Sequence, residues 1–292
     1  ESGLRAREEF VQRFGRDSKW YAANIGNPAV TSKADELVET FLRERAILQI
    51  QLAQELRKQA LVENDADKLR RAKKEFRKAA SIIEKYLADK RHSKDRYVLR
   101  YYLAEMLYKS DQYLRSAAEY EKVRDDTSEA AIALKEYNEI REDSAFTAIQ
   151  AVERYLERQV EVRRVPKKTL ALDADLPPED EQKARSTRVR KIKPQKIPAK
   201  VDRWVANTDR YVEMQLEHPE NKEFSVQQAY RIGLMYYNFR NYDEARRRWE
   251  LVIKQWPQAT EASFSARNII NSYKDENDWS NVEKWAERVA KE

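Results

Sequence analysis

Histidine is the first residue to examine for chemistry near neutral pH, and this chain has only two, His92 and His218. Neither belongs to a pair at i, i+4 or to an HExxH run, so no zinc centre is written in the sequence. There is no cysteine, which removes thiolate nucleophiles, disulfides and cysteine-bound zinc together. The 4 glycines, Gly3, Gly15, Gly26 and Gly233, are isolated from one another. A phosphate cradle needs clustered glycines, and a serine nucleophile needs a GxSxG turn on a strand; neither is present. Adjacent carboxylates such as Glu8 and Glu9 or Asp125 and Asp126 carry no signal among 51 acidic residues. Asp173 and Asp175 lack the glycine and the terminal glutamate of a calcium loop. The expectation is a non-enzymatic chain with no catalytic residue, no metal ligand and no cofactor.

Tyrosine offers a different capacity, which is binding. Tyr101 and Tyr108 stand seven residues apart in one segment, as do Tyr230 and Tyr237 in another, a spacing that puts each pair on one face of a helix. Such a strip can hold an extended peptide or a helix through apolar area and hydroxyl hydrogen bonds. The same spacing also suits packing on a neighbouring helix pair, and the sequence leaves both readings open.

The elements that carry these tyrosines are helical hairpins. In residues 226 to 257, Ile232 and Gly233 fall where two helices would meet, with Tyr236 on the same face. Tyr242 follows in the turn, then Ala245, Trp249 and Val252 at helical spacing, and Pro257 ends the second helix. Residues 97 to 123 repeat the pattern with Leu103, Ala104, Leu107, Tyr113, Ser116, Tyr120 and Val123. Ile269, Ile270, Tyr273, Trp279, Val282, Ala286 and Val289 repeat it again in degenerate form. Small residues at the crossing, large ones beside them and a closing proline form the tetratricopeptide signature, of period about 34 residues.

The expected fold is therefore all-α, a tetratricopeptide-type solenoid of helical hairpins in a right-handed superhelix. Residues 1 to 31 read as the end of a preceding repeat plus a loop, and 32 to 164 as an N-terminal block of helical repeats. Within that block the spacing predicts helices over 32 to 62, 66 to 90, 95 to 109, 113 to 124, 128 to 142 and 144 to 164. Residues 165 to 199 hold five of the 8 prolines and no aromatic, and read as one long charged linker. Residues 200 to 292 form a C-terminal block, with helices expected over 200 to 217, 224 to 239, 242 to 255, 261 to 274 and 280 to 291. A charged fraction of 37% with so few glycines fits long solvated helices.

First helices line the concave side of such a superhelix. On that basis the candidate binding residues are Val98, Tyr101, Glu105, Tyr108 and Lys109 in one unit and Gln227, Tyr230, Leu234, Tyr237 and Asn238 in the other. A second candidate is the basic half of the linker, Arg185, Arg188, Arg190, Lys191, Lys193 and Lys196. It could clamp an acidic protein surface, anionic lipid or nucleic acid, or serve as a solvated connector attracted to its own acidic half. Single-stranded nucleic acid is disfavoured, because no aromatic is interleaved for base stacking. The net charge of +6 mildly favours acidic partners.

No apolar run is long enough for a membrane span. The N-terminus carries no apolar signal core, and Phe10, Val11 and Phe14 look like the end of a helix. The expectation is that the chain starts part-way through a repeat of a longer protein, whose signal or anchor would lie outside it.

Several segments resemble the large tetratricopeptide proteins of deltaproteobacterial cell envelopes. These are EEFVQRFGRDSKWYAAN at 8 to 24, YYLAEMLYKSDQYLRSAAEYEKVRD at 101 to 125, AYRIGLMYYNFRNYDEARRRWELVIKQWP at 229 to 257 and NIINSYKDENDWSNVEKWAERV at 268 to 289. The resemblance implies a bacterial scaffold, exported or lipid-anchored, of the periplasm or outer membrane, of the type found in envelope assembly and gliding-motility complexes. The carboxylate clamp of chaperone-binding members uses Lys and Asn, and Tyr230 and Leu234 occupy those places here. The alternative is a cytosolic adaptor that docks through the basic linker.

Overall fold

A computed structural model describes residues 2 to 89, 95 to 171, 189, 191 to 215 and 223 to 291. Those residues contain helices and turns and no strand. The chain divides into two compact units, Glu1–Ala151 and Val152–Glu292.

The first unit holds α1 (Ser2–Phe14), α2 (Lys19–Asn24), α3 (Pro28–Val62), α4 (Ala66–Asp89), α5 (Arg96–Lys109), α6 (Tyr113–Arg124), α7 (Glu129–Ile132) and the start of α8 (Tyr137–Glu161). Phe10 of α1 meets Phe41 of α3 edge to face at 4.7 Å. Between the two longest helices the buried residues alternate small and large. Ala46 and Ala53 of α3 and Ala72 and Ala79 of α4 let the helices approach, while Phe76, Ile83 and Tyr86 fill the remaining space.

The second unit holds the rest of α8, a 3-10 turn (Lys167–Leu170), α9 (Val201–Glu213), α10 (Phe224–Asn238), α11 (Tyr242–Gln255), α12 (Thr260–Asp275) and α13 (Trp279–Lys291). Its core is built on Trp204, Tyr211, Ile232 and Trp249, all at 2% exposure or less. Aromatic burial on this scale contributes about 2 kcal/mol or more per side chain.

Four helix pairs, α3–α4, α5–α6, α10–α11 and α12–α13, are joined by one and the same turn. Asn64, Asp111, Arg240 and Asn277 take left-handed φ values of 51, 66, 57 and 56°. In each case the next residue's N–H reaches the carbonyl five positions back at 2.9 Å: Asp65 to Ala60, Gln112 to Leu107, Asn241 to Tyr236 and Asp278 to Tyr273. That is the Schellman closure of a helix end. The donor residue's own carbonyl then opens the following helix, accepting from Leu69, Ser116, Ala245 and Val282 at 2.9 to 3.1 Å. One residue thus ends one helix and starts the next, which leaves no slack in the connection.

Helix bounds match the expected ones within a few residues, with one exception. A break was expected at Asp143, between the helices read as 128 to 142 and 144 to 164. The structure runs α8 straight through it, because Ser144, Ala145 and Ala148 are buried. The interruption comes earlier, after the single turn of α7, where Ser128 Oγ caps Ala131 N–H at 3.4 Å. Buried Tyr137 then fixes the new helix start by donating its hydroxyl to the Asp126 carbonyl at 2.9 Å.

Candidate protein-binding faces

On α5 the buried set is Tyr97, Leu99, Leu103, Ala104, Met106 and Leu107. Val98, Tyr101, Glu105, Tyr108 and Lys109 are half-buried and share one stripe of the helix. Tyr101 donates its hydroxyl to Asp143 Oδ2 at 2.8 Å, and its ring lies edge-on to Tyr120 at 6.0 Å. Burial, then the Asp143 charge, pushes the Tyr101 phenol above its ordinary value. Tyr120 donates to Glu105, whose carboxylate pairs with Lys109 Nζ at 2.6 Å. Tyr108 meets Tyr113 edge to face at 5.3 Å, and Val98 packs on Tyr97, Val123 and Tyr137. The five expected residues therefore share one face, on which Glu105 pairs with Lys109 and Tyr101 bonds Asp143.

On α10 the outcome is mixed. Gln227, Tyr237 and Asn238 are half-buried. Tyr237 donates to Asp275 Oδ2 at 2.7 Å, and Tyr242 donates to the same oxygen at 3.0 Å. Tyr230 and Leu234, read as free to meet a ligand, are instead packing residues at 4% and 2% exposure. The cause is α12: Asn268 Nδ2 donates to the Tyr230 hydroxyl at 2.9 Å, and Phe264 lies against the Tyr230 ring at 6.1 Å. Asn238 is engaged by the chain itself, donating through Nδ2 to the Lys168 carbonyl at 3.1 Å.

Gly233 lies where α10 meets α11, the crossing expected of a small residue. A Cβ there would lie 2.5 Å from Trp249 Cδ1 and 2.8 Å from its Cε2. Its role is to admit the Trp249 indole, whose Nε1–H donates to the Tyr230 carbonyl at 3.3 Å.

The linker is not extended throughout. Its beginning folds into the 3-10 turn, with Thr169, Leu170 and Ala171 buried. Arg231 of α10 holds it there, donating to the Leu170 carbonyl at 3.0 Å while pairing with Glu153 of α8 at 2.6 Å and covering the Trp204 ring at 5.1 Å. The second unit begins at Val152, within the stretch read as 32 to 164. Lys191, Lys193 and Lys196 are exposed. Arg185, Arg188 and Arg190 lie outside the described residues, as do His92, His218, Asp173 and Asp175.

Sequence reasoning did not single out Asp143 and Asp275 as tyrosine partners, or Arg231 as the residue that seats the linker. Arg231 had no signal in a chain with 57 basic residues. Among the described residues no group of acidic or histidine side chains is arranged to hold a metal ion. No described helix is long and apolar enough to cross a membrane. No family model matches the chain, and no curated protein matches it.

Proposed function

We propose that this chain is a non-enzymatic scaffold of the tetratricopeptide type that binds another protein through two faces, one on α5 and one on α10. The observation that carries this reading is a shared hairpin: α5–α6 and α10–α11 have one turn, and each sets a half-buried tyrosine, Tyr108 or Tyr237, against a second tyrosine at its end, of which Tyr113 is half-buried and Tyr242 buried. Tyr108 with Tyr113 and Tyr237 with Tyr242 have ring centroids 5.3 and 5.1 Å apart. Partly exposed tyrosines whose orientation is fixed by packing supply contact area at small entropic cost, which is how aromatic side chains anchor interfaces. Tyr101, Tyr108 and Tyr237 are the proposed anchors, with Glu105, Lys109 and Gln227 as the polar surround. Tyr230 and Leu234 support the face from beneath.

A place in a bacterial envelope complex, periplasmic or at the outer membrane, is proposed on the resemblance of the four quoted segments alone. The cytosolic adaptor is the competing placement, and the N-terminal sequence of the native gene product separates them: a signal peptide excludes the adaptor.

The binding face is tested by placing a photo-crosslinking phenylalanine analogue at Tyr108 and at Tyr237 in the native host, with exposed Lys58 and Lys284 as control positions. The expected result is one shared adduct from both tyrosine positions and none from the controls. Equal adducts at the control positions, or no adduct at either tyrosine, would overturn the reading.

A further inference from the structure

Residues 191 to 200, KIKPQKIPAK, adopt neither helix nor strand, yet they are fixed in place against the second unit. The Gln195 N–H donates to the Phe239 carbonyl at 2.7 Å, at the end of α10. The Gln195 side chain accepts from Lys168 Nζ, which also donates to the Asn238 carbonyl at 2.8 Å and sits 4.5 Å from the Phe239 ring centroid. Ile192, Ile197 and Pro198 are half-buried on the inner side. At the far end the segment runs into α9, where the Val201 N–H reaches the Pro198 carbonyl at 3.4 Å.

Lys191, Lys193, Lys196 and Lys200 point outward and are exposed. None of them makes an ion pair among the described residues, and no acidic residue occurs between Val189 and Val201. Exposed Arg240 adds a fifth cation close by, near enough that its charge, after burial, lowers the pKa of Lys168. The arginines of the adjoining helices behave differently. Arg231, Arg246, Arg247 and Arg248 each contact a carboxylate. Among the described residues the lysine ribbon thus presents positive charge that meets no carboxylate.

We infer that the ribbon from Lys191 to Lys200 is a docking site for an acidic, extended segment of a partner protein. Pro194 and Pro198 lack N–H donors and hold Lys193 and Ile197 near extended geometry. A partner strand therefore cannot add to the ribbon by a backbone ladder, and recognition falls to the side chains. Lys191 and Lys193 alternate as the carboxylates of an extended Glu-x-Glu segment do, about 6.5 Å apart. Lysine, a compact point charge without the planar fork of arginine, suits carboxylates met at variable angles better than paired phosphate oxygens. Bases would find no aromatic to stack on. With the ribbon already seated on Phe239, a partner meets charge whose ordering cost is met in folding.

The test uses the full chain and a labelled peptide of alternating Glu and Ser, with binding read by fluorescence anisotropy at low and physiological ionic strength. The K191Q/K193Q/K196Q variant is expected to weaken binding about tenfold or more. The Lys→Arg triple should retain it, and K58Q/K85Q/K284Q, with the same change in net charge, should leave it within about twofold. Circular dichroism melting of each variant verifies folding. The inference is overturned if both glutamine triples weaken binding alike, if the peptide shows no saturable binding, or if phosphatidylglycerol vesicles or duplex DNA bind more tightly than the peptide.

Discussion

The α5–α6 hairpin and the α10–α11 hairpin stand 129 positions apart in the chain and solve one packing problem with two sets of residues. In the first, Ala104 faces Tyr120, and Ser116 Oγ donates to the Ala104 carbonyl at 2.8 Å. In the second, Gly233 faces Trp249, and Ala245 takes the place of the serine. The facing ring grows from phenol to indole while the small position shrinks by one methyl. Turn geometry is held constant and volume is exchanged across the interface. What the hairpin conserves is the sum of the two side chains, as dense interiors require.

The largest test of that exchange is Gly233→Ala. The added methyl would overlap the Trp249 indole, and a cost of about 3 kcal/mol is expected from overpacking. Coupling it with Trp249→Tyr recreates the Ala104 and Tyr120 combination. The double variant should recover more than 1 kcal/mol relative to the sum of the singles, roughly the coupling expected of residues in contact. Urea unfolding followed by tryptophan fluorescence reports chiefly on the second unit, since Trp20 is the only tryptophan before residue 204. Additive losses would show that Gly233 answers to something other than the indole.

The second difference is titratable. Tyr120 carries a titratable phenol where Trp249 has an indole that does not ionise in this range, and burial, then Glu105, raises that phenol well above the ordinary 10.0. Because the folded value is the higher one, the stabilisation is complete below pH 10 and is lost as pH rises beyond it. Each further pH unit should cost about 1.4 kcal/mol for this one group. Tyr120→Phe should remove that share of the slope between pH 10 and 11, measured by the urea midpoint from circular dichroism. An unchanged slope would mean that the ring is hydrated in solution.

A third and smaller contrast concerns the hydroxyls that reach Asp143 and Asp275. Tyr101→Phe removes the hydroxyl that donates to Asp143 Oδ2 at 2.8 Å, whereas Tyr237→Phe leaves Asp275 still bonded to Tyr242 at 3.0 Å. Losses of about 1 kcal/mol for the first and about half that for the second are expected, read as shifts in thermal midpoint. Equal losses would mean that the two tyrosine hydroxyls on Asp275 act independently.

The hairpins were legible in the sequence because small and large residues recur at helical spacing, and α6 and α11 have the bounds read from it. The proposed binding face was only half legible. Tyr101 and Tyr230 occupy equivalent places in the pattern, yet one is half-buried and the other nearly sealed. What separates them is the next helix: α8 offers Asp143 to the first, while α12 brings Phe264 and Asn268 over the second. A repeat pattern describes contacts within a hairpin, and exposure of its first helix depends on the neighbour that follows. The same reasoning explains Asp143, where the expected break yielded to the burial of Ser144 and Ala145. Arg231 was invisible because its partners, Glu153 and Leu170, lie 78 and 61 residues away.

The smallest expected effect tests the turn that the two hairpins share. Asp111 and Arg240 hold the same left-handed position, but a short polar side chain tolerates that region better than a long one. Arg240→Gly should therefore relieve about 1 kcal/mol of backbone strain, partly offset by the entropy that glycine adds to the unfolded chain, for a net gain near 0.5 kcal/mol. Arg240→Ala removes the same charge while keeping the Cβ, so it should gain nothing. Asn277→Gly, at the equivalent place before α13, should change stability by no more than a few tenths of a kcal/mol, because asparagine already accepts the conformation. Thermal midpoints of the three variants separate the explanations. If Arg240→Ala gains as much as Arg240→Gly, the relief comes from removing positive charge beside Lys168, and the turn at φ 57° carries no strain.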